Sequence, residues 1–275
     1  MKYAIETENI SKYFGENKAN DQINIQIKEG TVHSICGENG AGKSTLMNVL
    51  YGLYLPTFGK IKVFGEEVSF HTSLDAIKKG IGMVHQHFML IQNLTVAENI
   101  ILGKETGSKF HLDRKKAVKD VEFLMETYKL MVDPHARIDE ISVGMQQRVE
   151  ILKALYRGAN ILILDEPTAV LAPQEINELF ESIRFLISQG KTVILISHKL
   201  KEVMEISDEI SVLRLGKMIG TIDRKDATKE LITQMMVGRD VKLGGLPREK
   251  VKNQTNVLEI KGLNYTHEKV DKINH

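Results

Sequence analysis

A glycine-rich segment followed by lysine and serine is the first candidate for chemistry in this 275-residue chain. Gly37–Ser44 has the pattern G-x-x-x-x-G-K-[ST] of a phosphate-binding P-loop. Glycines let backbone N–H groups approach phosphate oxygens, and a following helix adds its N-terminus. Lys43 would add positive charge at the β- and γ-phosphates, and Ser44 would offer a hydroxyl to Mg²⁺. The alternative is a glycine-rich turn capped by Ser44. The residues expected to contact the nucleotide are Gly37, Asn39, Gly40, Ala41, Gly42, Lys43, Ser44 and Thr45.

Two consecutive acids follow an apolar segment later in the chain. Asp165 and Glu166 come directly after Ile161–Leu164. Asp165 would hold Mg²⁺ through water, and Glu166 would orient or deprotonate the water that attacks the γ-phosphate. Acids after a strand are also common as turn or cap residues. Together with the P-loop, however, they predict Mg²⁺-dependent hydrolysis of a nucleoside triphosphate.

The elements that must position these residues alternate between strands and helices. Apolar, β-branched runs predict strands at 32–35, 161–164, 193–196 and 210–213. A helical period predicts helices at 44–53, 114–128, 176–188 and 200–206. Such alternation favours an α/β fold with a mostly parallel sheet between helices. The segment 87–155 shows no buried strand, which predicts a helical subdomain inserted into the α/β core.

Composition argues against nucleic acid as a partner. The 37 Lys and Arg nearly balance the 36 Asp and Glu, for a net charge of +1. The longest apolar runs fall far short of the roughly 20 residues that span a bilayer. The first six residues lack the apolar segment of a secretory signal, and a single cysteine, Cys36, fits a reducing cytoplasm. Any work at a membrane therefore requires another chain.

Ile141–Arg148, the signature segment, precedes the acidic strand and resembles the signature motif of ABC ATPases. That family sandwiches ATP between two head-to-tail ATPase domains. The resemblance implies that Ser142, Gly144 and Gln146 bind the ATP of the partner domain, with the hydroxyl and N–H groups at a helix N-terminus facing its γ-phosphate. Ser142 would also be the N-cap of that helix.

Three more family positions follow in order. Gln86 resembles the glutamine that senses Mg²⁺ and water and touches the membrane subunits, and His198 resembles the histidine that contacts the γ-phosphate. Phe14 resembles the aromatic that stacks on adenine, although Tyr13 is adjacent. Two positions depart from the family pattern: Val143 replaces a common glycine, and Ala172 replaces a common aspartate. The missing aspartate puts communication between the two ATP sites in doubt.

The resemblance covers residues 1–240 and implies a P-loop (RecA-like) core with an N-terminal antiparallel β part. Its cofactors would be ATP and Mg²⁺, the latter held by Ser44, Gln86 and Asp165. Ser142–Leu152, Asp165–Glu175 and Met236–Arg239 are most similar to ATPases of monosaccharide and nucleoside importers. The family implies a peripheral protein on the cytoplasmic face of the cell membrane. It would power uptake of a galactose- or ribose-like sugar or a nucleoside through separate permease subunits and, through them, a substrate-binding protein.

The last part of the chain carries a short internal repeat. Residues 241–256 are rich in glycine, charge and amides without periodicity, which is typical of a linker. Val257–Asn264 then reproduces the pattern of Ala4–Ser11. A second ATPase domain is expected to begin at 257–275, as in tandem importers of this family. The alternative is a chance similarity in a frayed tail.

Other classes remain as alternatives. A non-transport ABC ATPase of DNA repair would need a long coiled coil between Gln86 and Ser142, and that segment is too short for one. A translation factor of the family would carry a charged arm. A small-molecule kinase with a P-loop would have no reason to carry Gln86, the signature segment, Glu166 and His198 in this order.

Overall fold

The computed structural model describes residues 2–105, 107–108, 111–238, 259–262, 265–267 and 270–273. The chain divides into two units, Met1–Val241 and Lys242–His275. The strands of the first unit are β1 (Tyr3–Phe14), β2 (Asn17–Lys28), β3 (Val32–Cys36), β4 (Phe58–Val63), β5 (Glu66–Val68), β6 (Ile81–Val84), β7 (Gly107–Ser108), β8 (His111–Leu112), β9 (Ile161–Asp165), β10 (Thr192–Ile196), β11 (Glu209–Arg214) and β12 (Lys217–Asp223). Its α-helices are α1 (Lys43–Leu50), α2 (Ser73–Lys78), α3 (Val96–Ile101), α4 (Arg114–Tyr128), α5 (Val143–Tyr156), α6 (Pro173–Ser188), α7 (Leu200–Ile206) and α8 (Lys229–Val237).

The N-terminal strands form an antiparallel sheet in the order β2-β1-β4-β5. Ile23, Ile25 and Ile27 of β2 are buried, whereas the residues between them are exposed. This alternation is typical of a sheet with one face on the core and one in water. The predicted N-terminal antiparallel part is thus confirmed.

A second sheet of six strands has the order β12-β11-β3-β10-β9-β6. All neighbours are parallel except the edge pair β11 and β12. The four predicted strands are all confirmed as β3, β9, β10 and β11. Along β9, Ile161 and Ile163 join one apolar cluster while Leu162 and Leu164 join another, because successive side chains point to opposite faces.

Strand β6 was not predicted, because Gly82 interrupts a short apolar run. A Cβ on Gly82 would lie 2.8 Å from the Cβ of Ala154 and 2.9 Å from that of Ala159. Glycine therefore allows α5 to pack close against this edge of the sheet.

The helices predicted at 114–128 and 200–206 have those bounds, whereas the helix predicted at 176–188 differs at its start and the one predicted at 44–53 differs at both ends. Helix α6 begins at Pro173 rather than at 176, because proline suits the first turn of a helix. Helix α1 ends at Leu50 rather than at 53, and Gly52 continues the chain with φ +76°. Helices α3, α4 and α5 form the inserted helical part. These helices and the large sheet share one apolar cluster, so packing does not show where the inserted part begins and ends. Its limits at 87 and 155 stay a prediction.

Strands β3, β9 and β10 are parallel, and their carboxyl ends lie at one edge of the sheet. The P-loop follows β3, the two acids end β9, and His198 follows β10. The topology therefore gathers the residues singled out by the sequence. None of the helices in the part of the chain that is described is long and apolar enough to cross a membrane.

The second unit contains one antiparallel pair of strands, β13 (Tyr265–His267) and β14 (Val270–Ile273). The predicted linker at 241–256 lies outside the described residues. The predicted start of a second domain at 257–275 is described only in part, at 259–262 and in these two strands.

Candidate functional site

The P-loop connects β3 to α1 through a backbone that requires glycine. Gly42 has φ +96°, and a Cβ there would lie 2.3 Å from the carbonyl oxygen of Ala19. The buried Asn20 donates from Nδ2 to the carbonyl oxygen of Gly42 at 3.0 Å. Strand β2 therefore packs directly against the loop at Gly42. The left-handed conformation of Gly42 is one that residues with a side chain rarely adopt.

A second support comes from the turn between β11 and β12. The N–H of Gly216 donates to the carbonyl oxygen of Ala41 at 3.1 Å. A Cβ on Gly37 would lie 2.4 Å from the carbonyl oxygen of Leu213. The loop is therefore held by backbone contacts on both sides.

Lys43 is buried at the start of α1, with Nζ donating to the carbonyl oxygens of Gly37 at 2.8 Å and Glu38 at 3.1 Å. Burial lowers the pKa of the ammonium group, and the charges of Glu166 and Asp165 oppose that effect. The cation is held against the loop by carbonyl oxygens, which a phosphate oxygen can replace as acceptors.

Asp165 and Ser44 adjoin each other beside Lys43. Burial and the charge of Glu166 raise the pKa of the Asp165 carboxyl, while Lys43 and a hydrogen bond with Ser44 lower it. A hydroxyl and a carboxylate are oxygen ligands of the kind that Mg²⁺ prefers, with water and phosphate completing its shell. These residues therefore fit Mg²⁺. Among the residues described, no three His, Cys, Asp or Glu side chains form a group able to hold a metal ion.

Glu166 lies next to His198, with 2.9 Å between Oε1 and Nδ1. Its backbone has φ +45°, a left-handed conformation that is uncommon outside glycine, and its N–H donates to the carbonyl oxygen of Ile196 at 3.0 Å. Strained backbone of this kind persists where the surrounding structure enforces it. Here the ladder between β9 and β10 enforces it and turns the carboxylate toward His198.

A polar cluster that joins the segments following these two residues was not predicted. Thr168 donates from Oγ1 to Oε2 of Glu202 at 2.5 Å, and Lys199 donates from Nζ to the carbonyl oxygen of Thr168 at 2.9 Å. These contacts tie the segment after Glu166 to the segment after His198. The sequence gives no signal for them, because the partners are 31 and 34 residues apart and belong to no motif.

One cavity of about 820 Å³ brings most of the predicted residues together. The predicted residues that line it are Phe14, Asn39, Gly40, Ala41, Gly42, Lys43, Ser44, Thr45, Gln86, Glu166 and His198. The lining residues that the sequence analysis missed are Asn17, Lys18, Ala19, Leu215 and Gly216. The turn-forming pair Leu215-Gly216 was the only available signal for any of these.

Phe14 stands at the rim of this cavity and is 45% exposed. Its ring packs edge-on against Tyr54, with 5.4 Å between the centroids, and Nζ of Lys12 lies 5.1 Å from its centre. The adjacent Tyr13 instead donates its hydroxyl to Oδ1 of Asp21 at 2.9 Å. Phe14 therefore has an aromatic surface available to a flat ring.

The three predicted residues of the signature segment lie at the start of α5, outside the residues that line this cavity. Oγ of Ser142 accepts from the N–H of Met145 at 3.3 Å, so Ser142 is the helix N-cap. Gln146 donates from Nε2 to the carbonyl oxygens of Ile138 and Ile141, at 3.2 and 3.3 Å. Its amide holds the preceding turn in place, and its contact with ATP stays a prediction.

The sequence profile of the family described as "ABC transporter" matches residues 20–169. Two curated relatives are similar over most of this chain. The guanosine import ATP-binding protein NupO of Bacillus subtilis is 55% identical over 88% of this chain and 47% of its own length. A putative carbohydrate transport ATP-binding protein of Mycoplasma pneumoniae is 46% identical over 88% of this chain and 44% of its own length. The chain thus spans about half the length of the curated relatives it matches.

A solved structure has the same fold. The dimeric structure of MJ0796, a bacterial ABC transporter cassette, superimposes with a TM-score of 0.68 at 28% identity. The match covers 80% of this chain and 98% of that one.

Proposed function

Because the chain belongs to the ABC transporter family of ATP-binding proteins, we propose that it is the N-terminal half of a tandem ATPase that powers an importer. The observation that carries this proposal is the Glu166–His198 pair, at 2.9 Å, in the cavity that also contains the P-loop lysine. A carboxylate and an imidazole beside a phosphate-binding loop suit the activation of water for attack on a γ-phosphate.

Each residue has a distinct task in this mechanism. The N–H groups of the P-loop and Lys43 bind the phosphates, and Phe14 stacks on the adenine. Glu166 orients or deprotonates the attacking water, and His198 holds that carboxylate and meets the γ-phosphate. Ser44 and Asp165, with Gln86, would hold Mg²⁺, which neutralises charge on the phosphate oxygens when it is bound.

A second ATPase domain would complete the site. Ser142 and Gly144 lie outside the cavity that contains the P-loop, so their hydroxyl and N–H donors suit a nucleotide on another domain. The similarity to a dimeric cassette supports the same arrangement.

The second unit supports a tandem chain. Its register pairs Tyr265 with Ile273, Thr266 with Asp271 and His267 with Val270. The end of the first hairpin pairs Lys12 with Asn20, Tyr13 with Lys18 and Phe14 with Asn17. Both hairpins shift register between the first and second of these pairs. Each residue of the second hairpin lies as many positions after its counterpart in the first hairpin as Val257 lies after Ala4. The repeated pairing register therefore occurs at the same spacing as the repeated sequence.

The surface around Gln86 suits a permease. Met89 and Ile91 are exposed at 63% and 42% just after Gln86. A cavity of about 230 Å³ beside them is lined in part by Met89, Lys153 and Arg157. An apolar surface with cations at its rim would receive a helix of a membrane subunit on the cytoplasmic face of the cell membrane.

We favour a nucleoside over a simple sugar as the transported molecule. The relative named for guanosine import is 55% identical, and the relative named for carbohydrate transport is 46% identical. Substrate choice would lie in the permease and in a substrate-binding protein.

The test is Mg²⁺-dependent ATP binding and hydrolysis by the chain and its Glu166→Gln variant. We expect the variant to keep its affinity for ATP and to lose at least about 100-fold in turnover, as removal of a general base does. Lys43→Ala is the matched control and should weaken binding itself by about tenfold or more, through the loss of a charged donor. Full turnover by Glu166→Gln would contradict the assignment.

A further inference from the structure

Glu175, in the first turn of α6, reaches across to the start of α5. Its Oε1 accepts from the N–H of Gly144 at 3.1 Å and from the hydroxyl of Ser142 at 3.4 Å. Its Oε2 accepts from the N–H of Ala172 at 3.0 Å. A Cβ on Gly144 would lie 2.6 Å from Oε1, so the carboxylate rests directly on the backbone of the signature segment.

The two donors to Oε1 are the ones expected to face the γ-phosphate of the partner domain. A carboxylate oxygen and a phosphate oxygen are both anionic acceptors that such donors attract. One N–H and one hydroxyl hydrogen cannot serve both acceptors fully, and two anions held at that spacing repel each other. Oε1 therefore stands where a phosphate oxygen would have to enter.

We propose that Glu175 is a positioning residue whose carboxylate occupies the phosphate-binding donors of the signature segment until the ATP of a second ATPase domain displaces it. The inference rests on the proposed head-to-tail pairing of ATPase domains. The partner's ATP must break the contacts to Gly144 and Ser142 before the sandwich closes. Glu175 therefore raises the ATP concentration at which two domains pair.

The two carboxylate oxygens of Glu175 have different hydrogen-bond donors and different roles. Ala172 has no polar side chain to cap α6, and Oε2 takes that task by accepting from its backbone N–H. Release of Oε1 leaves this cap in place. The signature segment can therefore exchange its anion while α6 keeps its N-terminal turn.

A neighbouring acid on the same helix provides a matched control. Glu178 bonds to Arg148 with 2.5 Å between Oε2 and Nη2, so it also joins α6 to α5. Among the described residues, its carboxylate bonds to Arg148, whereas Ser142 and Gly144 bond to Glu175. Glu178→Gln weakens the contact between the helices without freeing the donors of the signature segment.

The experiment measures ATP-driven pairing by light scattering in a Glu166→Gln background, in which ATP is not consumed. We expect Glu175→Gln to lower the ATP concentration at half-maximal pairing about tenfold, because a neutral amide competes less well for the donors. Glu178→Gln should shift it less than about twofold. Affinity for ATP at the P-loop, measured below the pairing concentration, should not change in either variant.

Thermal unfolding separates this role from a merely structural one. Glu175→Gln weakens the cap of α6 and should lower Tm while it strengthens pairing; a residue that only braces the fold would weaken both. Pairing at the same or higher ATP concentration would overturn the role of Glu175 and leave the proposed function standing. Absence of pairing in every variant, although each binds ATP, would instead overturn the head-to-tail arrangement and this role with it.

Discussion

Glu209 belongs to a charged cluster at the end of the sheet remote from the P-loop. Nζ of Lys28 lies 2.7 Å from its Oε1, and Nδ1 of the fully buried His33 lies 3.7 Å from its Oε2. The second distance is too long for a hydrogen bond, so Lys28 is the direct partner. The imidazole of His33 and the ammonium group of Lys28 hold the pKa of the Glu209 carboxyl below its ordinary value. The ionised carboxylate therefore stabilises the fold.

Glu209→Gln should lower the free energy of unfolding by about 1–2 kcal/mol at pH 7, through the loss of a charged partner. Because the pKa is depressed in the folded chain, this contribution is complete above the unfolded pKa near 4.5. It decreases as the pH falls below that value, toward the depressed pKa of the folded chain. Urea unfolding at pH 7, 5 and 3.5 should show the difference between variant and parent shrinking with pH.

The exposed pair of Glu67 with Lys60 is the control, at 2.9 Å between charged atoms that are both more than half exposed. Glu67→Gln should change the free energy of unfolding by less than about 0.5 kcal/mol. A constant difference across pH for Glu209→Gln would contradict its assigned ionisation.

Residues that act within a continuous motif were the ones that the sequence could identify. Gly42, Lys43 and Ser44 belong to one loop, and the constraints on that loop are local. Glu175 and Glu202 act through contacts with segments distant in sequence. No pattern in one chain specifies which distant N–H or hydroxyl a carboxylate will meet.

At the scale of elements, the P-loop depends on the close approach of β2. Gly42→Ala would place a Cβ 2.3 Å from the carbonyl oxygen of Ala19 at φ +96°. We expect a loss of about 3 kcal/mol or more in the free energy of unfolding, from a left-handed residue with a side chain and from displaced backbone. Urea unfolding without nucleotide measures this loss.

Gly40→Ala measures the cost of the left-handed backbone without the steric clash. Gly40 also has positive φ, at +80°, but a Cβ there would have no atom within 4 Å. Its replacement should cost only about 1–2 kcal/mol, from backbone conformation alone. Equal losses in the two variants would mean that β2 does not constrain the loop.

The elements that were predicted correctly have long or strongly apolar patterns. Helix α4 has a full helical period, and β9 and β10 contain uninterrupted apolar runs at 161–164 and 193–196. Strand β6 was missed because its identity depends on packing: Gly82 shortens the apolar run so that α5 can approach. Helix ends were misplaced where a single residue decides them, as Pro173 does for α6.

For the whole molecule, the predicted ATP contacts are divided between a cavity and the start of α5, which does not line it. This division is the reason for the proposal that a second ATPase domain completes the site. Asn39 lines the cavity and Val143 is 38% exposed in the signature segment, so a head-to-tail pair would bring one near the other. A mixture of Asn39→Cys and Val143→Cys chains, each also carrying Glu166→Gln, should form a disulfide-linked dimer under mild oxidation only with ATP. Burial raises the pKa of the native Cys36 thiol to about 12, which keeps it from competing.

The control replaces Val143→Cys with Ser188→Cys, an exposed position at the far end of α6. That mixture should give little dimer with or without ATP, because the last turn of α6 is remote from the signature segment in sequence and along the helix. Non-reducing electrophoresis measures both yields. Equal cross-linking at the two positions would show that the chains meet by random collision and do not form a defined sandwich. Only a fixed geometry, with Ser142 and Gly144 over the partner's γ-phosphate, makes the yield depend on both the position of the cysteine and the presence of ATP.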